Sequence, residues 1–379
     1  LVLQFIVFFI RLFTSKNMST IATATKLRAI VVDDSSLYRK IVRDVLSSLP
    51  DVEVVGMAHD GEAALERITA LKPDLVALDL EMPRLNGLGV LRELARRGID
   101  CVTLMISAFT AEGAQATTEA LREGAFDFIL KPTTSSLEQS IAQLRSDLAP
   151  RMVACRSRIA DRTARRAFGS DVQSQSQPRR PQRHERVDVV GIGISTGGPQ
   201  ALTQMLPRLP SDFPCPIVIV QHMPPMFTKS LADDLDRHCA IAVREAEQGQ
   251  PLCAGTALVA PGGKQMKVVA SASGPVVQLT DDAPERNCRP SVDYLFRSLA
   301  ELYGARTLGV VMTGMGDDGT EGCRLLANRN ASLIAQDAAS CVVYGMPKSV
   351  VEAGYIEQVV PLSGMAAEIC RIADIGRNR

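Results

Sequence analysis

From Leu27 onward the chain alternates short β-rich runs with amphipathic stretches, and this rhythm limits the folds available to it. The runs "RAIVV", "VEVVGMA", "DLVALDL", "CVTLMIS" and "FDFIL" are rich in β-branched and apolar residues. Between them lie segments such as "YRKIVRDVLSSL", "GEAALERITAL", "GVLRELARRG" and "EGAQATTEALREG", whose apolar residues recur at helical spacing. Five such β-α units predict a parallel, doubly wound sheet with functional groups at the carboxyl ends of its strands.

The strand ends carry the chemistry. The first predicted strand runs into Asp33 and Asp34, the third into Asp79 and the fourth into Ser107, and the fifth is followed by Lys131. A parallel sheet gathers these residues on one edge. Clustered carboxylates there repel one another unless a hard divalent cation joins them, and Mg²⁺ prefers oxygen ligands. Lys131 and Ser107 are placed to meet phosphoryl oxygens, with Asp79 as the acceptor. A single residue of this kind is commonly a solvated strand-end cap; all five at successive strand ends are not explained that way.

"VVDDS", "LDLEMPRLNG", "MISA" and "FILKP" closely resemble the receiver domains of two-component response regulators, over residues 27–148. The resemblance implies a flavodoxin-like fold with Asp79 as the phosphorylation site. It implies that Asp34, Asp79 and the carbonyl of Glu81 ligate Mg²⁺ and that Asp33 acts through water. Ser107 and Lys131 would contact the phosphoryl group, and Phe128 stands at the family's switch aromatic.

Residues 149–186 are rich in arginine, serine, glutamine and proline and poor in apolar periodicity. They read as a basic linker, helical at its start and flexible later. A second α/β unit follows over 187–379. "VDVVGIGIS", "CPIVIVQ", "TLGVVM" and "ASLIAQ" read as buried strands, and "PQALTQML", "KSLADDLDRHC", "SVDYLFRSLAELYG" and "GTEGCRLLANR" as helices. Residues 241–281 lack helical period and carry turn signals, which predicts a β-hairpin insertion.

In this unit "GIGISTGGP" admits two readings. A dinucleotide fingerprint would need glycine where Thr196 stands, and no Lys-Ser/Thr follows for a phosphate loop. The alternative, Gly193-Ile194-Ser195-Thr196-Gly197, is the G-x-S-x-G turn that raises a nucleophilic serine off a strand end. It demands a base and an orienting acid on the same edge. His222 directly follows its strand, and "VVMTGMGDDGT" supplies Asp317 and Asp318. A buried histidine or a helix-capping aspartate is the plainer interpretation of either alone; three strand-to-helix turns presenting Ser, His and Asp point to a serine triad.

The stretches "GISTGGPQAL", "QHMPPMFT", "APGGKQM", "RPSVDYLF", "MTGMGDDG" and "IAQDAASCVVYGMP" resemble the catalytic domain of the chemotaxis protein-glutamate methylesterases. That resemblance implies Ser195 as nucleophile, His222 as base and Asp318, rather than Asp317, as the acid. The substrate would be glutamate methyl esters on methyl-accepting chemoreceptors, with methanol released, and receptor glutamines would be deamidated by the same acyl chemistry. The amides of Thr196 and Met315 are the expected oxyanion donors, and this domain is expected to need no cofactor. A chemotaxis histidine kinase would supply the phosphoryl group. Gln265 departs from the histidine common in the family after "APGG"; the departure is expected to leave the triad untouched and leaves the details of the substrate cleft open. Two other readings stay open: a receiver-controlled serine hydrolase of some other protein ester or amide, in a signalling array not devoted to motility, and a phosphorylation-dependent scaffold with an idle triad.

Composition excludes other classes. Lys+Arg and Asp+Glu both number 42, so charge predicts no nucleic-acid or membrane partner. Nine scattered cysteines without a C-x-x-C pair argue against a disulfide framework or a zinc motif and for a reducing cytoplasm. The apolar segment "LVLQFIVFFIRLF" is too short to span a bilayer, and Met18 opens a polar stretch, so residues 1–17 are expected to be a start-site artefact.

Overall fold

The computed structural model describes residues 26–133, 136–168 and 186–374. The expectations for residues 1–17, and for flexibility in the later linker, lie outside these.

The first unit is a five-stranded parallel sheet in the order β2-β1-β3-β4-β5. Its strands are β1 (Leu27–Val32), β2 (Val52–Ala58), β3 (Leu75–Asp79), β4 (Val102–Ser107) and β5 (Asp127–Leu130). The helices α1 (Ser36–Ser48), α2 (Gly61–Leu71), α3 (Gly87–Arg96), α4 (Ala111–Arg122) and α5 (Leu137–Phe168) cover its faces. Local sequence starts the first four. The side chains of Ser35, Asp60, Asn86 and Thr110 each accept a hydrogen bond from an amide in the first turn, satisfying donors that the helix leaves orphaned. The crossover sense reverses between β1 and β3, so the crevice beyond those two strands is the binding place such a sheet creates.

α5 does not stop at residue 148. It continues through Pro150 to Phe168, so the start of the basic segment is the second half of a long helix. Its residues Leu144, Leu148, Met152 and Cys155 are buried against the first sheet, which is why the apolar residues persist past the expected boundary.

The second unit is a seven-stranded parallel sheet in the order β14-β13-β12-β6-β7-β9-β8, with β13 (Ser332–Gln336) and β14 (Gln358–Val360) at one edge. At its centre are β6 (Val189–Ile194), β7 (Ile217–Gln221) and β12 (Thr307–Val311). The insertion differs from expectation. The antiparallel hairpin is only β10 (Gln265–Ser271) with β11 (Gly274–Thr280). β8 (Ala242–Glu245) and β9 (Thr256–Val259) instead extend the main sheet in parallel. These strands are four residues each, too short to show a period. Helices α6 (Gly198–Met205), α7 (Phe227–Asp236), α8 (Val292–Leu302), α9 (Thr320–Asn328), α10 (Met346–Glu352) and α11 (Leu362–Ala373) complete the unit. The chain leaves β6 toward β7 on one side and returns to β12 on the other, so β6 marks the topological switch point.

The two units share a face. Phe128 of β5 stacks on Phe227 of α7 with ring centroids 4.7 Å apart, and Phe109 reaches the same ring at 6.4 Å. Arg122 of α4 pairs with Asp234 of α7 at 3.1 Å. Buried apolar side chains of both units merge into one continuous cluster across this contact. Among the described residues no helix is long and apolar enough to cross a membrane.

Candidate active site

The switch point of the second sheet places three sequence-predicted residues together. Ser195 follows β6, His222 follows β7, and Asp318 lies in the turn between β12 and α9. The turn after Ser195 requires glycine: Gly197 has φ +79°, and a Cβ there would lie 2.4 Å from Val342. Gly314 lets a second turn approach, since its Cβ would stand 2.8 Å from that of Ser195. Ser195 N–H donates to the Thr313 carbonyl at 2.9 Å, fixing the two loops against each other.

His222 Nε2 lies 2.8 Å from Asp318 Oδ2. Asp318 is buried and densely held. Ser291 Oγ donates to its Oδ1 at 2.9 Å, Val292 N–H to Oδ2 at 2.7 Å and Asp293 N–H to Oδ1 at 3.0 Å. The carboxylate thus sits at the N-terminus of α8, where free amides and the helix dipole favour an anion. Burial opposes its charge, but the His222 hydrogen bond and these amides outweigh burial and lower its pKa. His222 shows the complement. Burial disfavours the imidazolium, yet the Asp318 bond, then the Cys288 contact, raise the pKa to about 9. Asp317 is exposed and pairs instead with Arg286.

Ser195, Thr196, His222 and Met315 line one cleft of about 460 Å³. Its opposite wall belongs to the first unit, through Asp127, Phe128, Leu130, Gln143 and Arg151. Thr196 Oγ1 donates to Asp127 Oδ2 at 3.0 Å, and Arg151 Nε reaches the same oxygen at 3.1 Å.

Gln265 is not on the cleft wall. It is fully buried, accepts from Ser291 N–H at 2.8 Å, and donates to the carbonyls of Ala283 and Cys288 at 3.2 Å each. It braces the loop that delivers Ser291 to Asp318. Sequence reasoning passed over Ser291, whose place before an apolar helical run is an N-cap signal. It also missed Cys288, whose position beside His222 no local pattern announces.

The first sheet's edge gathers Asp33, Asp34 and Asp79, with ligand-capable oxygens within 4.8 Å of one another. Lys131 Nζ lies 2.7 Å from Asp79 Oδ2 and 3.1 Å from Asp33 Oδ2. Burial raises the Asp79 pKa to about 6 despite the opposing Lys131 bond, and burial likewise raises that of Asp33. Three carboxylates against one ammonium leave negative charge that a hard cation would neutralise, and an all-oxygen donor set suits Mg²⁺. Ser107 Oγ, fully buried, accepts from Thr117 Oγ1 at 2.8 Å and is turned toward α4. Glu81 N–H approaches Asp79 Oδ1 at 3.4 Å.

Residues 190–369 match the family described as CheB methylesterase, and residues 29–142 match the response regulator receiver domain. The protein-glutamate methylesterase/protein-glutamine glutaminase of Desulfotalea psychrophila is 47% identical over 356 residues, covering 90% of this chain and 97% of that protein. Its counterpart in Trichodesmium erythraeum is 41% identical, covering 91% and 99%. The one in Pyrococcus abyssi is 38% identical, covering 94% and 96%. A receiver sheet joined to a second sheet with Ser, His and Asp at its switch point is thus matched in sequence over nine-tenths of the chain, and the chain belongs to the protein-glutamate methylesterase/protein-glutamine glutaminase family.

Proposed function

We propose that this chain hydrolyses glutamate methyl esters on chemoreceptors, releases methanol, and deamidates receptor glutamines, under the control of receiver phosphorylation. The observation that carries the reading is the His222–Asp318 pair, 2.8 Å apart, on turns that flank the one bearing Ser195.

Asp318 holds Nε2, so Nδ1, which faces Cys288 Sγ at 3.7 Å, is the nitrogen left for catalysis. In the neutral form of His222, Ser195 Oγ attacks the ester carbonyl while Nδ1 takes its proton, and Nδ1 returns that proton to the departing methoxide. Water then attacks the acyl-enzyme by the same route and leaves a free glutamate carboxylate. With glutamine the leaving group is ammonia. The amides of Thr196 and Met315 are assigned to the tetrahedral oxyanion, and each such donor is typically worth about 3 kcal/mol.

In the receiver, Asp79 accepts the phosphoryl group from a histidine kinase. Asp34, Asp79 and the Glu81 carbonyl would hold Mg²⁺, with Asp33 acting through water. The ion would supply charge neutralisation of the transferring oxygens. Lys131 pairs with the phosphoryl group, and Ser107 turns outward to donate to it. In the docked arrangement the receiver forms one wall of the esterase cleft, so unphosphorylated receiver restricts the approach of a protein substrate. Phosphorylation shifts the population away from that arrangement. We place this activity in the cytoplasm, where receptor signalling segments and kinase meet.

The test is methanol release from methylated receptor membranes, with and without a small phosphodonor. Absence of methanol release under both conditions, with the protein folded, overturns the reading.

A further inference from the structure

Cys288 occupies the side of His222 that Asp318 leaves free. Its Sγ lies 3.7 Å from His222 Nδ1, while Asp318 holds Nε2 at 2.8 Å. The three residues bring ligand-capable atoms within 4.8 Å of one another. Zinc bound at about 2.0 Å to nitrogen and about 2.3 Å to sulfur, at the tetrahedral angle, sets an N···S edge of about 3.5 Å. The observed spacing is close to that edge. A thiolate with an imidazole selects a borderline-soft ion over Mg²⁺.

The outer shell is also in place. A carboxylate on the distal ring nitrogen orients a zinc-binding histidine, and Asp318 is itself locked by Ser291 Oγ and two amides of α8. The ligands come from three separate loops, which is why no C-x-x-C or H-x-x-H spacing marks the site. Both side chains face the cleft that also holds Ser195, leaving coordination positions for water or an anion.

We propose that Cys288 Sγ and His222 Nδ1 chelate a zinc ion, with Asp318 as the outer carboxylate, and that the bound ion silences the enzyme. Binding releases the thiol proton and any proton on Nδ1, keeps the Nε2–Asp318 bond, and changes no oxidation state. It removes the nitrogen that must take the Ser195 proton. The silencing half rests on the esterase reading above; the binding half does not.

The test uses the full chain in excess Mg²⁺, which occupies the receiver carboxylates, with Co²⁺ as the spectroscopic probe. The expected result is a thiolate-to-cobalt charge-transfer band that saturates at one equivalent and is displaced by Zn²⁺. It persists in Ser195→Ala and in Cys253→Ser, which removes an exposed thiol, and is lost in Cys288→Ser. Methanol release, scored for each variant as the ratio with and without Zn²⁺, should need at least about tenfold more zinc for inhibition in Cys288→Ser. A band undiminished in Cys288→Ser overturns the site. Equal zinc sensitivity of Cys288→Ser and the parent overturns the silencing. If no methanol is released at all, the esterase reading fails while the cobalt band still decides the metal site.

Discussion

Thr196 Oγ1 donates to Asp127 Oδ2 at 3.0 Å, joining the residue after the candidate nucleophile to the receiver strand that ends just before Lys131. Asp127 is nearly buried and also holds Arg151 and its own strand through Phe128 N–H. The phosphorylation edge and the esterase turn therefore share one short strand. Loosening this contact should open the cleft without a phosphoryl group. Phe128→Ala removes the ring stacked on Phe227 and should raise unphosphorylated methanol release severalfold, with a smaller additional gain on phosphorylation. Basal activity unchanged in Phe128→Ala would mean that this face does not restrain the enzyme.

Ser195→Ala should lower methanol release by several orders of magnitude while leaving thermal unfolding nearly unchanged, because it removes the hydroxyl that forms the acyl-enzyme. The two neighbouring acids separate the triad from a simple cap. Asp318→Asn removes the negative charge paired with His222, whereas Asp317→Asn touches an exposed ion pair with Arg286. The first should cost far more activity than the second, and comparing kcat for the two variants checks the ranking.

Gln265→Ala should destabilise the protein and weaken catalysis through Asp318. The substitution leaves the Ser291 amide and the carbonyls of Ala283 and Cys288 without their buried partner. An unsatisfied buried group costs about 1–3 kcal/mol. Chemical denaturation should register that loss, and kcat should fall more than KM changes, since Gln265 lies behind the cleft rather than on it.

The His222–Asp318 pair makes a pH signature. The folded pKa of His222 is raised from 6.5 to about 9, so its stabilisation is complete below pH 6.5 and is lost as pH rises through about 9. Asp318 is lowered from 3.8, so its share is present above that value and is lost as pH falls through the lower folded pKa. The stability advantage of the parent over His222→Gln should therefore be greatest between about pH 4 and 6.5 and shrink toward pH 9. Denaturation midpoints across this range measure it.

Most of the candidate site was legible because both sheets place one informative residue directly after a recognisable apolar strand. Asp33, Asp79, Lys131, Ser195 and His222 could be found by locating strand ends, and folding only had to bring those ends to one edge. Asp318 needed more, since Asp317 is its chemical equal in sequence; the choice is made by the N-terminus of α8, a feature of packing. Gln265 stands out in the sequence only as a departure from the family's histidine, one expected to leave the triad untouched. Its three partners, supplied by residues 18 to 26 positions away, turn it inward. The Thr196–Asp127 contact was not legible at all. It depends on how two separately folded surfaces meet, which no local pattern encodes.

The docked receiver yields the most demanding prediction. Lys131 Nζ binds Asp79 at 2.7 Å in the unphosphorylated state, and Ser107 is turned toward Thr117. A phosphoryl group on Asp79 offers new acceptors to both, so Ser107 must leave its inward bond to reach them. β4 and β5 pair through Ser107 and Leu130, two residues beyond Phe128, so the rearrangement is delivered to the strand that meets α7 and Thr196. A population shift requires the docked and released states to bind the phosphoryl group unequally, and this rearrangement would supply the difference. A fragment of residues 186–379 should then release methanol faster than the unphosphorylated full chain. Mg²⁺ with a small phosphodonor should raise full-length activity and leave the fragment unchanged. Asp79→Asn should keep basal activity and lose the response. A fragment no faster than the full chain would remove the inhibitory role of the docked receiver, and a phosphodonor response surviving in Asp79→Asn would move the phosphorylation site elsewhere.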